Sequence, residues 1–149
     1  MDRYVIGPLR DFPAGSKARV HVAGRPIAVF NVEGSLFALK DQCPHQGGPL
    51  SAGNVVGKVE SPLPGVYEYD QHSWLVKCPW HGWEYDLETG QSWCDPARDR
   101  VHPYPVAVES GKSVTAALET AGSRLRGPYV VETFVVSVED EYVVIDLQT

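Results

Sequence analysis

Two short segments constrain this chain more than anything else in it: Cys43-Pro44-His45-Gln46-Gly47-Gly48-Pro49-Leu50 and Cys78-Pro79-Trp80-His81-Gly82-Trp83. Each carries one thiolate donor and one imidazole donor, one residue apart in the first segment and two apart in the second. A proline follows each cysteine and a glycine follows each histidine closely. Taken alone, either cysteine would read as a small buried apolar residue, and a lone histidine as structural or solvated. The repeated Cys–His pairing points instead to metal ligation.

A cluster of two irons and two bridging sulfides needs two terminal ligands per iron. If each segment supplies one Cys and one His, then Cys43 and Cys78 meet on one iron and His45 and His81 on the other. Glycines let backbone N–H groups turn toward the bridging sulfides, and the prolines stiffen the loops, reducing the entropy lost on ordering. A mononuclear structural zinc is the alternative. Two Cys and two His are acceptable zinc ligands, although zinc sites more often use C-x2–4-C and H-x3–5-H spacing. Cys94, after Trp93, has no companion and reads as a free thiol. His21, His72 and His102 likewise lack neighbours at ligand spacing, and His72 reads as a surface residue.

Strand patterns flank these segments. Arg19–Val22 and Arg25–Val32 are β-favouring stretches around Ala23-Gly24. Asn31–Lys40 reads as a hairpin turning at Glu33-Gly34. Tyr129–Val138 and Tyr142–Leu147 read as a second pair joined by Glu139-Asp140-Glu141. From Cys43 to about Pro105, glycine, proline and aromatics are dense, and loops are expected to outweigh regular structure. One short helix is expected over Ser113–Ala121, stopping at Gly122.

At 149 residues the chain fits one domain, since single cores run to roughly 100–200 residues. The formal charge of −6 and the absence of a Lys/Arg cluster argue against a nucleic-acid partner. The N-terminal stretch has no signal-peptide apolar region, and no apolar run approaches the roughly 20 residues that cross a bilayer. Three cysteines, an odd number, favour reduced thiols or metal ligands over a disulfide framework. The expectation is a cytoplasmic protein without a membrane anchor.

The pair C-x-H and C-x-x-H, with Pro after each Cys, resembles the Rieske domain. Leu36-Phe37-Ala38-Leu39 looks like the strand leading into the first loop, Glu84 to Gly90 like the strand and turn after the second, and Val135–Leu147 like the closing hairpin. The resemblance covers about residues 4–106 and 130–147. It implies an all-β fold, an antiparallel sandwich or barrel-like base with a cluster-binding subdomain inserted at about 43–86. It also implies one [2Fe–2S] cluster held by Cys43, His45, Cys78 and His81, with the histidine-bound iron nearest the surface. The 32 residues between His45 and Cys78 are longer than in compact members. The excess is placed at about 55–73, with Ser61-Pro62-Leu63-Pro64-Gly65 as an extended loop, and a second apparent insertion at about 109–127. The resemblance to Rieske proteins of cytochrome bc complexes is partial: their extra loop cysteines are replaced here by Gly48 and Trp80, and their cluster-bonding serine by Trp83. The function implied is that of a one-electron carrier, a Rieske-type ferredoxin passing electrons from a flavin-dependent reductase to a terminal oxygenase. A small subunit of a multicomponent oxygenase or nitrite reductase, with a structural or regulatory role, is the alternative. A complete oxygenase subunit would need a further domain with a mononuclear iron site, for which no residues remain.

Overall fold

The computed structural model describes the chain except residues 1, 45–46, 81, 93–99, 115–124, 127–138 and 148–149, and except the side chains of strand residues 2, 58–62, 66–73 and 125–126. Its elements are almost all strands: β1 (Asp2–Pro8), β2 (Lys17–Val22), β3 (Arg25–Val32), β4 (Ser35–Lys40), β5 (Asn54–Leu63), β6 (Val66–Lys77), β7 (Glu84–Asp86), β8 (Pro103–Tyr104), β9 (Val106–Ser110), β10 (Leu125–Arg126) and β11 (Glu141–Leu147). They form three sheets, ordered β10-β1-β11-β9, β2-β3-β4-β8 and β5-β6-β7. All pairings described are antiparallel except β1 with β10. The all-β expectation holds.

The chain divides into two compact units, Met1–Ala38 with Tyr104–Thr149, and Leu39–Pro103. The second is thus inserted in sequence between the two parts of the first, and it contains the 43–86 segment.

In the first unit both predicted turns are present. Ala23 (φ 50°) with Gly24 (φ 78°), and Glu33 (φ 53°) with Gly34 (φ 95°), lie in the left-handed region at both central positions. That is the geometry whose twist matches two-residue hairpins. Tyr4, Ile27, Val29, Ala38, Val143 and Ile145 contribute to a single core cluster, which joins inward faces of the first and second sheets as in a sandwich. The opposite face of β11 is covered too, since Tyr142 and Val144 pack with Val5 and Val114. Burial on both faces explains why this strand reads as a continuous apolar run instead of an alternation.

Strands β1 and β9 were not anticipated. Each borders β11, at Asp2↔Leu147 to Pro8↔Tyr142 for β1 and Glu141↔Ser110 to Ile145↔Val106 for β9. The β1 pairing joins opposite ends of the chain, which no local pattern announces. Residues 111–114 are helical. They include the first two residues of the expected helix, whose remainder lies outside the described residues, as do Tyr129–Val138 and Cys94.

In the second unit the structure corrects one expectation. Ser61-Pro62-Leu63-Pro64-Gly65 is not an extended loop but the end of a hairpin: β5 and β6 pair from Asn54↔Lys77 to Leu63↔Val66, with irregularities after Gly57 and Glu60. The prolines at 62 and 64 read as loop punctuation, but they fall at the tip of a hairpin, where strand ends and edges tolerate them.

Candidate metal centre

The two Cys–His segments both lie in the second unit, as loops leaving β4 and β6. Leu39, at the end of β4, is fully buried, and so are Val76, before the second loop, and Tyr85, after it. Each loop is therefore anchored by buried strand residues.

The loops share one backbone scheme. In the first, Gly47 N–H donates to the Cys43 carbonyl (2.7 Å) and Cys43 N–H donates to the Gly48 carbonyl (2.8 Å). In the second, Gly82 N–H donates to the Cys78 carbonyl (2.9 Å) and Cys78 N–H to the Trp83 carbonyl (2.7 Å). Both closures use a glycine at positive φ, 80° for Gly47 and 70° for Gly82, a conformation glycine adopts without steric cost. These two glycine N–H groups therefore close their own loops.

Neither Cys43 nor Cys78 is in a disulfide, and they are 1% and 2% exposed. The Tyr85 hydroxyl lies 3.1 Å from Cys43 Sγ in a buried contact. Gly48 is where the loops meet, because a Cβ placed there would come within 2.9 Å of Cys78 Sγ and 3.1 Å of the Trp80 ring. The positions that carry the extra cysteines in the cytochrome bc type are therefore neighbours here, filled by the smallest and the largest side chain.

Two supporting contacts were not found from sequence, and a third closes the turn expected at Glu84 to Gly90. Asp41, 2% exposed, accepts from Ser51 N–H (2.8 Å) and Ser51 Oγ–H (2.6 Å), stapling the two ends of the first loop. Gly53 admits the Lys77 carbonyl, which would lie 2.0 Å from a Cβ. This brings the end of one loop segment against the residue before Cys78. Asp86 Oδ1 accepts from Glu88 N–H (2.8 Å) and Thr89 N–H (3.0 Å), closing the turn after the second loop. The Asp–x–Glu–Thr–Gly spacing is a visible signal for this last turn; the other two contacts span too many residues to be read locally. A cleft of about 570 Å³ runs along the first loop, with Lys40, Arg100 and His102 lining it beside Cys43.

Of the four predicted ligands, the structure brings Cys43 and Cys78 into one neighbourhood through Gly48. His45 and His81 lie outside the described residues. His72 is in β6 and His21 is an exposed residue of β2. Among the described residues no helix is long and apolar enough to cross a membrane.

Residues 2–105 match the Rieske [2Fe-2S] domain model. The chain belongs to the Rieske [2Fe–2S] domain family. The 3-phenylpropionate/cinnamic acid dioxygenase ferredoxin subunits of Escherichia coli K12 and Shigella flexneri serotype 5b are 33% identical to this Rieske domain over 111 residues, 74% of this chain and 90% of each relative. Among solved structures, the ferredoxin of Sphingomonas yanoikuyae B1 is similar with a TM-score of 0.52 at 24% identity, over 70% of this chain and 88% of that one. The ferredoxin in a complex of reduced oxygenase and oxidized ferredoxin of carbazole 1,9a-dioxygenase gives 0.53 at 24% identity, over 70% and 83%. These two likenesses show the fold. A Rieske domain implies a [2Fe–2S] cluster, and the residues fit one: two buried cysteines outside any disulfide on matched loops, with Gly48 leaving room for the second sulfur against the first loop.

Proposed function

We propose that this Rieske protein is a one-electron carrier of the ferredoxin type, holding one [2Fe–2S] cluster per chain through Cys43, His45, Cys78 and His81. The observation that carries the reading is the pair of loops with a common hydrogen-bond scheme, each presenting a buried cysteine outside any disulfide. The ferredoxin subunits to which the chain is 33% identical support the functional part. When bound, such a cluster accepts and releases a single electron.

The chain's own residues have three tasks. Cys43 and Cys78 supply thiolates from a buried setting that excludes competing water and oxidants. With Cys43 deprotonated by metal, Tyr85 is the donor in their contact, and a hydrogen bond to sulfur favours the reduced, more negative state. Asp41, Gly48 and Gly53 fix the loops so that little reorganisation accompanies a change of charge. The partners are other redox proteins: a flavin-dependent reductase as donor and a terminal oxygenase as acceptor. The whole chain acts as one functional unit in the cytoplasm, where free thiols persist.

Optical and electron paramagnetic resonance spectra, with iron and zinc assayed alongside, test this. About two irons per chain and a rhombic signal after dithionite, averaging well below the free-electron g value, are expected. Colourless protein with about one tightly held zinc, and no such signal after reconstitution, would overturn the reading.

A further inference from the structure

Arg100 and His102 are exposed on either side of buried Val101, so the two basic residues share one side of an extended segment. The segment is tied down twice: Val101 N–H donates to the Gly90 carbonyl (2.8 Å), and the His102 carbonyl accepts from Lys40 N–H (2.9 Å). The second bond sets Lys40 beside them, and all three line the cleft of about 570 Å³ whose wall includes Cys43 and Pro44. Cys78, Gly48 and Trp80, which mark where the two loops meet, are not among its described lining residues, so the cleft lies on the outer flank of the first loop. No Asp or Glu is among them either, in a chain of formal charge −6. Asp41, next to Lys40 in sequence, is buried and bonded to Ser51. Among the described residues neither Lys40 nor Arg100 makes an ion pair. Arg100 reaches the Thr89 carbonyl only at 3.5 Å, beyond ordinary hydrogen-bond length.

Like charges gathered in a concave site focus the field there and raise the local concentration of the opposite ion. A guanidinium offers a planar fork to phosphate or carboxylate, and an ammonium adds a point charge. The volume is that of a small-molecule site, and Pro44 and Val101 in its wall supply apolar contact. We propose that this cleft binds a small organic anion, with a phosphate or carboxylate head on Lys40 and Arg100 and its body beside Pro44 and Val101, and that the bound anion makes the cluster harder to reduce. The second half rests on the electron-carrier reading, which places a cluster iron on Cys43. Negative charge on the flank of that loop opposes the added electron. By linkage, the oxidised protein then binds the anion more tightly than the reduced protein by the same factor.

The test titrates oxidised holoprotein calorimetrically with phenyl phosphate, benzoate and inorganic phosphate at constant ionic strength, and measures the potential over the same concentrations. Saturable binding of phenyl phosphate or benzoate is expected, the tighter of the two naming the head group, and inorganic phosphate should bind more weakly because it lacks the body. A preference of about fivefold for the oxidised protein, at the low end of ordinary coupling, lowers the potential at saturation by about 40 mV, since tenfold is about 59 mV for one electron. The double variant Lys40→Gln with Arg100→Gln should lose about tenfold or more in affinity and lose the shift in potential, while Lys40→Arg keeps both. An unchanged electron paramagnetic resonance spectrum shows that the variants keep their cluster loops. No saturable binding of either organic anion, or equal binding by the double variant, overturns the site. Binding that leaves the potential where it was overturns the coupling to the cluster. A wild-type protein that accepts no electron from dithionite overturns the electron-carrier reading, and the calorimetric titration still decides the site.

Discussion

At the scale of single residues, the hydroxyl of Tyr85 lies 3.1 Å from the sulfur of Cys43, a proposed ligand. It was not legible in the sequence, because 42 positions separate the two residues and nothing in Glu84-Tyr85-Asp86 announces a partner. The two Cys–His segments were legible, since their spacing and adjacent Pro and Gly are local features; the hydroxyl set beside Cys43 is a product of folding. Replacing Tyr85 by Phe removes a donor to the thiolate and disfavours the added electron. A net hydrogen bond of roughly 0.5–1.5 kcal/mol corresponds to a fall of about 20–60 mV for one electron. Redox titration of Tyr85→Phe beside wild type reads this directly, and an unchanged or higher potential would remove Tyr85 from the account. The absolute value is expected toward the low end of the Rieske span, about −150 to +300 mV, because Trp83 offers no hydroxyl where the cytochrome bc type has a serine. A wild-type titration near the upper limit would show that other donors compensate.

At the scale of elements, the hairpins at Ala23-Gly24 and Glu33-Gly34 were readable because turn chemistry and strand pattern agree within a few residues. The long β5–β6 hairpin was not, because Pro62, Pro64 and Gly65 mask the strand pattern on either side of the tip. Its structure divides it into two functional parts. The proximal part, Leu75–Lys77, pairs with β7 at Glu84–Asp86 and so sets the direction of the second cluster loop. The distal part pairs only within itself, from Lys58↔Asp70 to Leu63↔Val66, among the described pairings, and its tip residue Leu63 is 64% exposed. A two-stranded ribbon alone is marginal in water, so the distal part contributes little to holding the cysteines. Replacing residues 59–69 by an Asn-Gly turn is expected to leave the reduced resonance spectrum unchanged. The thermal midpoint should move by less than about 5 °C, the shift that roughly 1 kcal/mol produces in a domain of this size. Loss of the signal on trimming would show that the ribbon organises the loops after all.

At the scale of the whole molecule, the two units differ in what holds them together. The first has core residues from two sheets, with β11 buried on both faces. Among the described residues, the second, Leu39–Pro103, has fewer buried apolar side chains, including Leu39, Leu50, Leu75, Val76, Tyr85 and Leu87. Much of its remaining structure is loop. Units this small rarely gain enough from apolar burial alone and often depend on a metal or disulfide, and Cys43 and Cys78 are in no disulfide. Metal binding to ligands absent from an ordered unfolded state contributes directly to folding, so the cluster is expected to stabilise the second unit selectively. Removing iron with a chelator under reducing conditions should raise amide exchange across the Cys43–Leu50 and Cys78–Asp86 segments by about tenfold or more, the ratio that 1.4 kcal/mol of local stability represents. The paired amides of β1 and β11 should keep their protection. Hydrogen exchange with mass spectrometry on holo and stripped protein separates the outcomes. Equal deprotection of both units would mean that they unfold together and that the cluster stabilises the whole chain. Protection retained in both would mean that the loop hydrogen bonds closing on Cys43 and Cys78 preorganise the site without metal.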